Sequence, residues 1–112
     1  MNSSSLLSAP PFRVDVAAGR GEVVVEAIGE LDLQSAPVLE QEVSRLRADG
    51  HDRVVVDLRH VEFIDSTGLR LLIGLHKDAQ REGRAITLVP GPRQVQRMFE
   101  LTATHQLFHW RD

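Results

Sequence analysis

Apolar and charged residues alternate over residues 12–16 (Phe-Arg-Val-Asp-Val), the period of a strand with one face in solvent. Ala18-Gly19-Arg20-Gly21 follows as a turn, and residues 22–29 read as a returning strand, so the pair predicts an antiparallel hairpin. The period then changes. Ser35-Ala36-Pro37 predicts a helix start, with serine as N-cap and proline in the first turn; Leu39, Val43 and Leu46 fall on one face, and Gly50 ends the helix. A strand is predicted over residues 53–58, a helix over about 67–81 closed by Gly83, and a strand over 85–89. Gly91-Pro92 turns the chain into a short helix near 93–100, and a last strand lies around 107–110.

After the hairpin, strands alternate with helices, which calls for parallel pairing through helical crossovers. Such crossovers are nearly always right-handed, so with spatial order following chain order the helices lie on one face. The predicted class is α/β: a mixed sheet of about five strands, an antiparallel hairpin then parallel strands, with helices mainly on one face. This wiring sets Leu31-Asp32, ending the second strand, beside Asp65-Ser66, after the third, at the edge where α/β proteins carry their sites. On the second helix, Leu69, Leu72, Ile73, His76 and Ala79 share the face expected in the core. Leu71 points elsewhere, with Arg70, Gly74 and Lys77, and is a candidate for exposed apolar contact.

Composition removes several classes of function. A chain of 112 residues supports one domain with its own core. We expect residues 1–11, Ser-rich and ending in Pro10-Pro11, to be a disordered arm, and residues 12–112 to be the domain. There is no cysteine, hence no disulfide or thiolate site. The start lacks the basic n-region of a signal peptide, no stretch reaches membrane-spanning length, and the expected location is cytoplasmic. The net charge of -3 comes from 13 basic and 16 acidic residues with no basic block, which argues against direct nucleic-acid binding. The five histidines are dispersed, so no metal site is expected. Neither a G-x-S-x-G elbow nor a Walker A loop nor G-x-G-x-x-G is present, and no enzymatic activity is expected.

The segment Asp65-Ser66-Thr67-Gly68-Leu69 puts a hydroxyl on the strand-to-helix turn. Ser66 is expected at the N-cap, where free backbone N–H groups and the helix dipole favour negative charge. A cap alone, worth about 1 kcal/mol, accounts for the serine; phosphorylation is the alternative. Leu69, at N3 in this reading, offers no capping box. Asp32 and Asp65 read either as strand-end residues bonding nearby N–H groups or as partner contacts. Gly68 permits close approach of a partner or a neighbouring backbone. Thr67 is either a second acceptor or structural.

Taken together, Gly29-Glu30-Leu31-Asp32, Val55-Val56-Asp57-Leu58, Phe63-Ile64-Asp65-Ser66-Thr67-Gly68-Leu69, the 85–89 strand and Val95-Gln96-Arg97-Met98-Phe99 with Leu101-Thr102 occur in order and at telling spacings. The chain so read resembles the STAS domain, in particular the bacterial anti-sigma factor antagonists. The resemblance implies that Ser66 is phosphorylated by a partner kinase. The unphosphorylated form would bind an anti-sigma factor with serine kinase activity and release a sigma factor; phosphorylation would switch binding off, and a phosphatase would reset it. Partner contacts would come from Asp32, Asp65, Ser66, Thr67, Gly68 and Leu71. ATP and Mg²⁺ would belong to the kinase, leaving this chain no cofactor of its own. The alternative is a non-switching STAS accessory subunit of a transport or signalling complex, with the serine only a cap. Family members usually carry a further amphipathic helix after the last strand, whereas this chain stops at Arg111-Asp112. Either other groups shield the sheet face that helix would cover, or apolar surface there is exposed.

Overall fold

The alternating start becomes β1 (Arg13–Ala18), and β2 (Val23–Leu31) returns beside it, antiparallel, with Gly21 at φ 72 in the connecting turn. This computed structural model describes residues 11–111; all but the last position of the expected N-terminal arm lie outside the described residues. The chain continues through α1 (Ala36–Ala48), β3 (Arg53–Ile64), α2 (Ser66–Arg81), β4 (Ala85–Val89), α3 (Arg93–Leu101), a 3-10 turn (His105–Leu107) and β5 (His109–Trp110). The sheet order is β1-β2-β3-β4-β5, and every pair after the hairpin is parallel.

Because each crossover advances one strand in the same direction, the three described helices share a face. Val23, Val25, Val54, Val56, Ile86 and Leu88 alternate onto it. There they join Leu39, Val43 and Leu46 of α1, Leu69, Leu72, Leu75 and Ala79 of α2, and Val95 and Phe99 of α3 in one core. On α2 the core stripe takes Leu75, while Ile73, expected inside, is half-buried at its margin.

On the opposite face no described element lies over the sheet, yet its centre is not bare. Val55 and Asp57 are each only 2% exposed. Arg59, two residues on and therefore on the same face, forks over Asp57, with Nε 3.1 Å from both carboxylate oxygens and Nη2 at 2.8 Å from Oδ2.

Beyond shifts of one or two residues at the ends of β1 and β2, the far end of β3 and the last strand depart from expectation. β3 runs to Ile64 instead of ending at residue 58, because β2 continues to pair with it through Leu31↔Ile64 after β4 has ended at Val89↔Asp57. Two register irregularities in that stretch, between Glu26 and Ile28 and between Gly29 and Glu30, break the alternation that would mark a strand. The last strand is only two residues long, because residues 105–107 form a 3-10 turn closed by Trp110 Nε1–H donating to the His105 carbonyl at 2.8 Å.

Candidate functional site

The β2–β3 ribbon delivers two acidic turns side by side. Leu31 pairs with Ile64, and one residue further on the Asp65 N–H donates to the Leu31 carbonyl at 3.2 Å. In the first turn, Asp32 Oδ1 accepts the N–H groups of Gln34 (3.0 Å) and Ser35 (3.1 Å). Ser35 precedes α1 as expected, but its hydroxyl does not cap the helix. It turns back, donating to the Glu30 carbonyl at 2.6 Å and accepting the Asp32 N–H at 2.8 Å, so it ties the end of β2 to the start of α1.

In the second turn the cap lies one residue earlier than expected. Asp65 is the N-cap: its backbone is extended, Oδ1 accepts the Gly68 N–H at 2.9 Å, and its carbonyl accepts the Leu69 N–H at 3.0 Å. Ser66 is therefore N1, Thr67 N2 and Gly68 N3. An aspartate and a serine in succession can each cap a helix, and here the Asp65 carboxylate, on a backbone whose N–H is bonded to the Leu31 carbonyl, takes the N3 amide. Ser66 is left exposed, and its hydroxyl has no hydrogen-bond partner among the described residues. Arg70, one turn along, brings Nε to 3.5 Å from the Ser66 carbonyl.

Gly68 faces inward. A Cβ at this position would stand 2.4 Å from the Leu31 carbonyl oxygen, so only glycine lets α2 start this close to the end of β2. Of the two approaches considered from sequence, the neighbouring backbone is the one present. Leu71 is half-buried and not fully exposed. It lines a groove of about 450 Å³ between the starts of α1 and α2, together with Leu33, Ala36, Pro37, Glu40, Thr67 and Arg70. The more exposed apolar residue here is Leu33, at 70%, which sequence reasoning passed over. Its signal was available: a leucine in a turn between Asp32 and Gln34 belongs to no periodic stripe that could bury it.

Among the described residues no group of three or more His, Cys, Asp or Glu side chains could hold a metal ion, and no helix is long and apolar enough to cross a membrane.

A five-stranded mixed sheet in chain order with the described helices on one side defines an α/β domain of STAS architecture. Residues 13–112 match the family model described as "STAS domain", and the chain belongs to that family. It is 33% identical over 85 residues to the anti-sigma-B factor antagonist of Staphylococcus aureus (strain NCTC 8325 / PS 47), covering 76% of this chain and 79% of the relative. To the anti-sigma-B factor antagonist of Bacillus subtilis (strain 168) it is 33% identical over 91 residues, covering 81% and 83%. Among solved structures, an anti-sigma factor antagonist from Mycobacterium paratuberculosis superposes with a TM-score of 0.80 at 30% identity, covering 89% of this chain and 85% of that one.

Proposed function

We propose that this protein is an anti-sigma factor antagonist controlled at Ser66. Unphosphorylated, it binds an anti-sigma factor that is also a serine kinase, and so releases a sigma factor. Phosphorylated at Ser66 by that kinase, it lets go, and a phosphatase resets it. The protein acts by binding and performs no chemistry of its own. The observation that carries the reading is the exposed Ser66 at N1, whose hydroxyl has no partner among the described residues: capping is done by Asp65, so the cap does not account for the serine. Similarity to antagonists of two species supports the partner class.

In this reading Ser66, Thr67, Leu71 and Leu33 meet the partner, Asp32 and Asp65 flank the hydroxyl, and Gly68 holds the turn against β2. A phosphate adds about -1.5 to -2 charges at pH 7. A unit-charge repulsion at about 4 Å is worth roughly 1 kcal/mol in water and roughly 4 kcal/mol at an intermediate dielectric. Each 1.4 kcal/mol or so is tenfold in affinity, so one phosphate suffices to dissolve a micromolar complex without refolding. The test compares wild type, Ser66→Ala and Ser66→Glu for capture of an anti-sigma factor and for phosphate incorporation with ATP. Wild type and Ser66→Ala are expected to bind, Ser66→Glu to bind at least tenfold more weakly, and wild type alone to be labelled. Equal binding by all three would eliminate the charge switch.

A further inference from the structure

His76 lies on the core-facing side of α2 with 6% exposure, and its Nδ1 is buried without a hydrogen-bond partner among the described residues. Aromatic rings surround it where acceptors would be expected: the Phe108 ring centre is 5.5 Å away and that of His109 5.7 Å. Phe108 in turn packs edge-on against Phe99, and Phe99 against Trp110. Among the described residues no carboxylate forms an ion pair with this imidazole. β4 contains no titratable residue, and on β5 the facing group is His109. His105 of the 3-10 turn stacks on Trp110 at 4.9 Å. Lys77 and Asp78 of α2 and Arg97 and Glu100 of α3 are exposed, and Arg47 of α1 and Arg84 approach Glu82 at the far end of α2. Burial, with the neighbouring His109 adding to it, holds the imidazole below its ordinary 6.5.

These rings close over the most weakly attached strand of the sheet. β5 has two ladder pairs, Thr87↔His109 and Leu88↔Trp110. Beyond it, the Arg111 N–H donates to the Leu88 carbonyl at 2.8 Å, and the Arg111 guanidinium forks onto Glu22 at 2.7 and 2.9 Å.

We propose that His76 is a proton-operated latch for the C-terminal strand: neutral, it lets Phe108 and His109 close over α2, and protonated, it drives residues 105–110 off the sheet while the remaining strands stay paired. The docked ring is neutral and the undocked ring takes up a proton freely. Docking is therefore independent of pH above about 6.5 and weakens about tenfold per pH unit below it, until the docked ring itself protonates. The Arg111 hydrogen bonds hold the Glu22 carboxyl below its ordinary 4.5, so this fork persists through the same window and tethers the released strand.

Trp110 is the only tryptophan and reports on the event. Fluorescence of the full chain is followed between about pH 8 and about pH 5 at constant ionic strength, with far-ultraviolet circular dichroism in parallel. Wild type is expected to show a red shift developing below about pH 6.5 with its secondary structure retained. His76→Leu, which keeps the site apolar and removes the proton acceptor, is expected to abolish the shift, and His105→Gln to retain it. No shift in wild type, a shift surviving in His76→Leu, or a shift lost in His105→Gln would overturn the proposal. Amide exchange in wild type decides independently of any variant. Protection of residues 105–110 is expected to fall, by at most about tenfold per pH unit, below about 6.5 while β2 and β3 keep theirs, and a uniform loss or no loss would overturn the latch.

Discussion

Gly68→Ala probes the contact on which the Ser66 edge is built. The added Cβ would stand 2.4 Å from the Leu31 carbonyl oxygen and 3.0 Å from both Ile64 Cγ1 and Leu31 Cγ. The two side-chain carbons can turn aside, but the carbonyl cannot, because it belongs to a paired strand and accepts the Asp65 N–H. To restore a normal contact, α2 has to retreat from β2 by roughly 1 Å. Overpacking costs about 1–3 kcal/mol, and a backbone obstacle puts this site at the upper end. Alanine returns about 1 kcal/mol through its better helix propensity. The net loss is about 2 kcal/mol, or roughly 10 °C in Tm for a domain of this size. Gly74, in the same helix, has nothing within 4 Å of its would-be Cβ, so Gly74→Ala is expected to gain up to about 1 kcal/mol. Urea titrations compared at unchanged m value measure both variants. If Gly68→Ala proved as stable as Gly74→Ala, the close approach to Leu31 would not be what holds the turn.

Three further substitutions test the structural roles of Asp65 and Arg59. Asp65→Ala is expected to lower stability by about 1 kcal/mol in urea denaturation and Asp65→Asn by a few tenths, since asparagine caps almost as well; equal losses would deny the capping role. For Asp57, burial alone would raise the carboxyl pKa, but the hydrogen bonds from Arg59 hold it below its ordinary 3.8. The stability this confers is present above that value and disappears as pH falls through the folded-state pKa. Arg59→Gln is accordingly expected to lower the urea midpoint at neutral pH, by less than breaking a fully buried pair would because Arg59 meets solvent. Urea midpoints should converge with wild type only as pH falls through the lowered Asp57 pKa, itself under 3.8, and a gap that persists once the carboxyl is protonated would refute the charge argument.

Much of the fold was legible because the hydrophobic period and the punctuation agreed. Residues 85–89 carried a strand pattern between a helix-closing glycine and Gly91-Pro92, and the observed β4 has those bounds. The far half of β3 was not legible. Arg59, His60 and Glu62 interrupt the apolar run, and only the pairing with β2, a partner distant in sequence, keeps them extended. The helix cap was located to within one residue. Asp65 and Ser66 are both N-cap types, and local sequence does not reveal that Asp65 is anchored to Leu31. The Asp57–Arg59 fork had a usable clue, since residues two apart on a strand share a face. The grouping of His76 with Phe108 and His109 had none, as it joins a helix to a strand that follows another crossover.

Chain-order sheet growth also bears on synthesis at the ribosome. The described hydrogen bonds that shape the Ser66 turn, from the Ser35 hydroxyl at the Glu30 carbonyl to Arg70 at the Ser66 carbonyl, fall within residues 30–70. A nascent chain that has emerged as far as α2 therefore already contains every partner of that turn, while β4 and β5 are still being made. Since translation proceeds at about 5–20 residues per second, Ser66 has its described neighbours for some seconds before the sheet acquires its last edge. A kinase that reads only this edge would find its substrate on unfinished molecules as well as finished ones.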